Sequence, residues 1–368
     1  MSTAQSARQR NYALLATLAT LVVIFVLVLL AEGGIRLRQW LKHGQTGTVN
    51  SLLVEDPASG LTVPRPGSHN GGRIVINALG FRSPELGPER PDLRLAFLGA
   101  STTFCAEVSG NAAAWPHQVT EQLRRALPDK RVDYINAGVP GYVVATSHEN
   151  WRRRVARHRP DIVVIYHATN DLAKDTRALA RARGLVAQPK EAEMSWLARY
   201  SMLWFLVEKN LAIRAAQSRA ADAEAPKLTE LPPDLAEGFR QRLTSLVRDI
   251  QASGALVALP TFSYRLRREQ TAQEQLQAAE SALYYMPYMS PPALLAGYEA
   301  YNRAIRQVAR DTGALLIEGE LDIPGDARHF TDSVHFTDHG SAAMARRVAA
   351  ALTAPAFLDR IKRHKGWS

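Results

Sequence analysis

Between residues 93 and 352, short apolar runs alternate with amphipathic stretches, and few folds accommodate that pattern. The runs LRLAFLG (93–99), RVDYINAG (131–138), DIVVIYHATND (161–171), ALVALPTFS (255–263) and GALLIEGE (313–320) read as strands. The stretches WPHQVTEQLRRAL (115–127), SHENWRRRVARH (147–158, stopped by Pro160) and DHGSAAMARRVAAAL (338–352) carry apolar residues at helical spacing. Strands that alternate with helices pair in parallel, and a parallel sheet is covered on both faces. The expected fold class is α/β: a three-layer α/β/α sandwich around a central parallel sheet of about five strands.

A second constraint lies upstream. Residues 12–31 carry no charge, and their number matches the roughly 20 residues that cross a hydrocarbon core. A removable signal peptide has a shorter apolar stretch and a small-residue cleavage site, for which LLAEGGIRL is a poor match. The expectation is a single-pass transmembrane signal anchor. Arg8 and Arg10 precede the span, while Arg36, Arg38 and Lys42 follow it, so the positive-inside rule barely discriminates. A short basic tail before an apolar span favours a cytoplasmic N-terminus, with the large domain on the periplasmic or extracytoplasmic side. The expected organisation is a tail (1–11), the span (12–31), a lead-in that is partly β (32–92) and the α/β domain (93–355). Helical insertions fall at about 172–253 and 264–300, and a C-terminal tail at 356–368. Trp196, Tyr200, Trp204 and Phe205 form an aromatic stripe read as core packing.

The formal net charge is +10. Arginine is scattered along helix-like stretches without the aromatic interleaving that stacks bases, so no nucleic-acid partner is expected. The single cysteine, Cys105, allows no disulfide within the chain and reads as a small buried residue.

In an open parallel sheet, ligands bind beyond the carboxyl ends of the strands. Ser101 sits just past the first strand, in LGAST. It could cap a helix, belong to a phosphate loop or act as a nucleophile. No G-x-x-x-x-G-K or G-x-G-x-x-G is present, which weakens the phosphate loop. A nucleophile needs a base and an oxyanion hole. The other strand ends supply candidates: Gly138 in NAGVPGY, Asn170 in HATND, and Asp332 with His335 in TDSVHFTDHG. A carboxylate three residues before a histidine, on a short turn, can hold the imidazole nitrogen that faces away from the serine. His167 admits either a substrate contact or a structural hydrogen bond. Asp171 reads as a loop support, and Asp338 and His339 as the start of the last helix.

These four segments, GAST, NAGVPGY, ATND and DSVH, resemble the conserved blocks of the SGNH, or GDSL-type, hydrolase superfamily, over roughly residues 93–355. INALGFRSPE and HFTDHGSAAMA are also similar to flanks of membrane-anchored or secreted members. The resemblance implies a flavodoxin-like SGNH fold, Ser101 as nucleophile, His335 as base and Asp332 as its orienting partner. The oxyanion hole would comprise the backbone N–H of Ser101, that of Gly138 and the Asn170 side chain. Ala100 stands where the family has aspartate, and Ala168 where it has glycine; the latter methyl is expected to narrow the acyl pocket. The implied activity is hydrolysis of an acyl ester, acetyl among the candidates, on a small molecule, glycan or lipid, with no cofactor and no metal. Two alternatives stand beside it: an acyltransferase acting on an envelope or exopolysaccharide sugar, and a non-catalytic glycan-binding protein.

Overall fold

The computed structural model describes residues 3–43, 52–186, 195–221 and 226–367. They form two compact units, Met1–Val49 with Pro189–Ile213, and Asn50–Gln188 with Arg214–Ser368.

The first unit is built on helix α1 (Thr3–His43). Within it, Tyr12–Arg38 is long and apolar enough to cross a bilayer, with mean hydropathy 3.0. The segment expected as a separate tail joins this helix from Thr3 onward. Ser195 caps a short helix, which the chain follows with a second one. In the same unit, Glu32 accepts hydrogen bonds from the backbone N–H groups of Met202 and Leu203 (2.9 Å each) and from Ser201 Oγ (2.9 Å). A carboxylate there serves the unpaired N–H groups of a helix start. The aromatic stripe is not core: Trp196, Tyr200 and Trp204 are 69%, 78% and 42% exposed. Among the described residues of this unit, no second layer covers those rings.

The second unit opens with two antiparallel hairpins, β1 (Leu53–Asp56) with β2 (Leu61–Pro64), and β3 (Gly67–His69) with β4 (Ile74–Ile76). Residues 44–51 of the expected lead-in lie outside the described residues. The central sheet follows: β5 (Leu93–Gly99), β6 (Val132–Asn136), β7 (Ile162–Tyr166), β8 (Leu256–Pro260) and β9 (Leu315–Ile317). All four pairings are parallel, in the order β6-β5-β7-β8-β9. Every residue of β5, β7 and β8 is buried, as a sheet covered on both faces requires.

The helices of this unit are α2 (Ser101–Phe104), α3 (Trp115–Ala126), α4 (Val144–Asn150) and α5 (Thr169–Ala182). Then come α6 (Trp196–Tyr200) and α7 (Met202–Ala221), the two helices introduced above, of which only the end of α7 enters the second unit. The set closes with α8 (Glu237–Ala252), α9 (Ala272–Tyr285), α10 (Pro291–Thr312), α11 (Asp338–Leu352) and α12 (Pro355–Lys365). The second expected helix, 147–158, is not uniform: after α4 it passes through a π turn, Trp151–Val155, and a 3-10 turn. Residues 356–368, expected as a tail, mostly form α12, which buries Phe357 and Ile361. The architecture is the three-layer α/β/α sandwich. Its chain leaves β5 for β6 on one side and returns past β5 to β7 on the other. That reversal opens a crevice at the carboxyl ends of β5 and β7, where α2 and α5 begin.

Candidate active site

Ser101 is the first residue of α2, a single turn that cannot hold itself by its own hydrogen bonds. The surrounding chain supplies the missing donors. Trp115 Nε1 donates to the Thr102 carbonyl (3.0 Å), and Asn136 Nδ2 to that of Thr103 (3.0 Å). The buried Arg82 guanidinium donates to the carbonyls of Phe104 (2.8 Å) and Cys105. It also lies over the Phe104 ring, 5.3 Å from its centre. Cys105 closes the turn in the left-handed region (φ 62°), and its N–H returns to Ser101. Burial pushes the Cys105 thiol up to about 12, which leaves an inert sulfur. The helix-cap reading of Ser101 fails, because Ala100 holds the cap position and no side chain caps the turn.

Ser101 Oγ lies 2.8 Å from His335 Nε2. His335 Nδ1 lies 2.7 Å from Asp332 Oδ2. The other carboxylate oxygen of Asp332 accepts the N–H groups of Val334 and His335, 2.9 Å each. The carboxylate thus fixes the turn and the ring together. The turn is closed by the N–H of Thr331 on the His335 carbonyl (2.9 Å). It is anchored to α9 by Ser281 Oγ on Ser333 Oγ (2.9 Å). Burial works against the Asp332 carboxylate. Hydrogen bonds from the His335 ring and the two N–H groups, with the imidazolium charge, still hold it below the usual carboxylate value. Burial likewise opposes the His335 imidazolium, yet its bond to Asp332 and the charges of Glu107 and Asp332 raise it above 6.5. Glu107, which no sequence pattern singled out, lines the same cavity.

Asn170 opens α5 beside this cavity. Its Nδ2 donates to the Tyr142 carbonyl at 2.9 Å, which sets the amide of this cavity-lining residue; the second amide hydrogen has no acceptor among the described residues. Tyr142 is held in turn by its hydroxyl on the Thr62 carbonyl of β2 (2.7 Å). The lead-in hairpin therefore supports the loop that positions Asn170.

Gly138 does not stand where the motif suggested. Its N–H is spent on Asn136 Oδ1 (3.1 Å), and a Cβ there would lie 2.7 Å from the Phe104 nitrogen. Gly138 is a packing glycine under α2. The loop's second glycine, Gly141, lines the cavity with φ 85°. Ala168 also departs from expectation: it is buried in the core and forms no part of the cavity wall. His167 is buried, with Nε2 2.7 Å from Ser147 Oγ, and burial pushes it down to about 3. Asp171 accepts the N–H of Val144 at the start of α4 (3.0 Å). Both are structural. Asp338 begins α11, as expected, and accepts the N–H of Ser109 (2.8 Å).

The cavity holding Ser101, Asn170, Asp332 and His335 has a volume of about 590 Å³. One wall is α5. The second insertion contributes Ala282, Tyr285 and Met286 to the lining.

The GDSL-like Lipase/Acylhydrolase family model matches residues 97–343. No curated protein sequence matches the chain. Among solved structures, an acetylxylan esterase from Geobacillus stearothermophilus is similar at 17% identity. It covers 75% of this chain and 95% of its own, with a TM-score of 0.41. A lipase/acylhydrolase from Enterococcus faecalis is similar at 14% identity, covering 71% and 95%, with a TM-score of 0.43. An α/β hydrolase enzyme from the metagenome of Lake Arreo, Spain, is similar at 16%, covering 70% and 94%, with a TM-score of 0.43. Two thirds of the sequence, including all four strand-end segments, falls within one family match, and the chain belongs to the GDSL-like lipase/acylhydrolase family of ester-hydrolysing enzymes.

Proposed function

We propose that this protein is a serine esterase in which Ser101, His335 and Asp332 act as a triad, held at the membrane by α1. The observation that carries the reading is the continuous row Ser101 Oγ, His335 ring, Asp332 carboxylate, with separations of 2.8 and 2.7 Å. Neutral His335 takes the Ser101 proton at Nε2 as Oγ bonds to the ester carbonyl carbon. Asp332 keeps Nδ1 protonated and stabilises the imidazolium. The carbonyl oxygen gains negative charge, met by the free N–H of Ser101 at the start of α2, the N–H of Gly141 and the Asn170 amide. Gly141 replaces Gly138 in this role because only the former faces the cavity. The carbon–alkoxide bond then breaks, and the imidazolium gives its proton to the departing alcohol. Water, deprotonated by His335, adds to the acyl carbon. Collapse releases the acid and restores the Ser101 hydroxyl.

The test is acid release from 4-nitrophenyl esters, acetyl to long acyl, by the full chain in detergent. Hydrolysis that disappears in Ser101→Ala and His335→Ala supports the reading. Hydrolysis that survives Ser101→Ala overturns it. The anchor has its own test: carbonate extraction should leave the chain in the membrane fraction, and its release would overturn that part.

A further inference from the structure

We infer that the alcohol portion of the substrate is an acidic oligosaccharide chain, read by a row of cations on α5. This rests on the esterase reading and names the substrate class for the same site. Lys174, Arg177 and Arg181 all line the catalytic cavity. Their spacing, i, i+3 and i+7, puts them on one helix face. The helix has Asn170 in its first turn, at the reacting centre. At 1.5 Å per residue, the row lies about 6, 10 and 16 Å beyond it along the axis. A small anion would need one such charge. A row leading outward from the nucleophile suits an extended chain bearing charge at intervals.

The charges are available. Lys174 and Arg181 are exposed, and their side chains make no hydrogen bond or ion pair among the described residues. Among the described residues Arg177 meets neutral groups, the Tyr285 carbonyl (3.1 Å) and the Tyr288 hydroxyl, and no carboxylate. The acids of α5 are occupied elsewhere: Asp171 is buried on the Val144 N–H, and Asp175 pairs with Arg242 at 2.6 Å. The acids that do line the cavity, Glu107 and Asp332, sit at the reacting end beside His335. The cleft is thus acidic at the imidazole and basic along its exit. The occupant is argued to be a glycan by Tyr285, which lines the cavity next to Arg177 of α5 and is 63% exposed. An exposed aromatic face beside cations can carry the apolar face of a sugar ring while the cations take its anionic groups.

The experiment compares acetate release from O-acetylated oligogalacturonate and from neutral O-acetylated xylo-oligosaccharide of matched length, using the full chain in detergent. The ratio of the two kcat/KM values should favour the anionic ester by about tenfold or more at low salt. It should fall towards one at about 0.5 M salt, where screening reaches only about 4 Å. Lys174→Glu with Arg181→Glu should lower the ratio by about tenfold or more, chiefly through KM on the anionic ester. A wild-type ratio near one at low salt, or one that ignores salt, overturns the inference without any variant. So does a ratio that ignores the charge reversal. Faster release from an acetyl ester borne on anionic vesicles than from either oligosaccharide would also overturn it, in favour of a lipid. Charge-blind hydrolysis that still needs Ser101 sinks this inference alone. Absence of Ser101-dependent hydrolysis on every ester sinks the esterase reading itself.

Discussion

Two segments at the carboxyl edge of the sheet each carry a histidine and an aspartate, and they do opposite things. After β7, His167 and Asp171 are both buried, with Nδ1 and Oδ2 4.0 Å apart. There burial drives the imidazole down to about 3 and the carboxyl up to about 6, so both are pushed towards neutrality. After β9, Asp332 and His335 are 2.7 Å apart at the edge of a cavity. There burial is the largest single influence, but the direct hydrogen bond, the neighbouring charges and, for Asp332, two backbone N–H groups together overcome it, and both groups are pushed towards charge. Residue types and near spacing are shared. Contact distance and the partners of each carboxylate oxygen decide which pair is scaffold and which can move a proton.

The largest test of that contrast is to delete each histidine. His335→Ala should lower kcat/KM for 4-nitrophenyl acetate on the order of 10⁴–10⁶-fold. His167→Asn should instead cost stability, about 1–3 kcal/mol by thermal unfolding, through the lost Ser147 partner. Comparable activity losses in the two folded variants would erase the distinction. Next in size, Asp332→Asn should reduce kcat by about 10²–10⁴-fold, because the ring loses its tautomer and orientation. Asn170→Ala should reduce kcat by about 10²–10³-fold with little change in KM, the mark of a donor used only in the transition state.

The pH dependence sharpens the comparison further. His335 must be neutral to accept the Ser101 proton, so kcat/KM should fall as pH drops through its raised pKa. Glu107→Gln removes one charge that raises it, and the acid limb of the profile should move to lower pH. No displacement would mean that Glu107 does not act on the ring. The sign reverses for stability at His167. Its folded value lies below that of a free imidazole, so its contribution is full above about 6.5 and is lost as pH falls towards 3. The stability gap between wild type and His167→Asn should therefore narrow between pH 7.5 and 5. Asp171, raised to about 6, changes in the opposite sense and is present in both proteins.

The same contrast explains what was legible in the sequence. Strands β5 and β7 were plain because a strand buried on both faces is a continuous apolar run. The helix α11 was plain because its apolar stripe is regular and an acid opens it. The Ser101, Asp332 and His335 positions followed from strand-end placement and from a family resemblance. Gly138 misled because a sequence gives glycines but not the direction of their N–H groups: Gly138 faces Asn136, while Gly141 faces the cavity. Arg82 escaped notice because its guanidinium reaches α2 from 19 positions upstream of Ser101, and only the fold brings them together. The aromatic stripe misled because helical spacing says which residues share a face, not whether another layer covers it. Lys174, Arg177 and Arg181 drew no notice in the sequence, because only the fold makes α5 a wall of the cavity.

The central claim is that the Ser101 hydroxyl is the one that His335 activates. Incubating the full chain with a fluorophosphonate and mapping the adduct by peptide mass spectrometry tests it directly. One phosphonylated site is expected, Ser101, with labelling abolished in His335→Ala while that variant keeps its thermal transition. An adduct on another serine, or labelling of Ser101 that does not depend on His335, would contradict it.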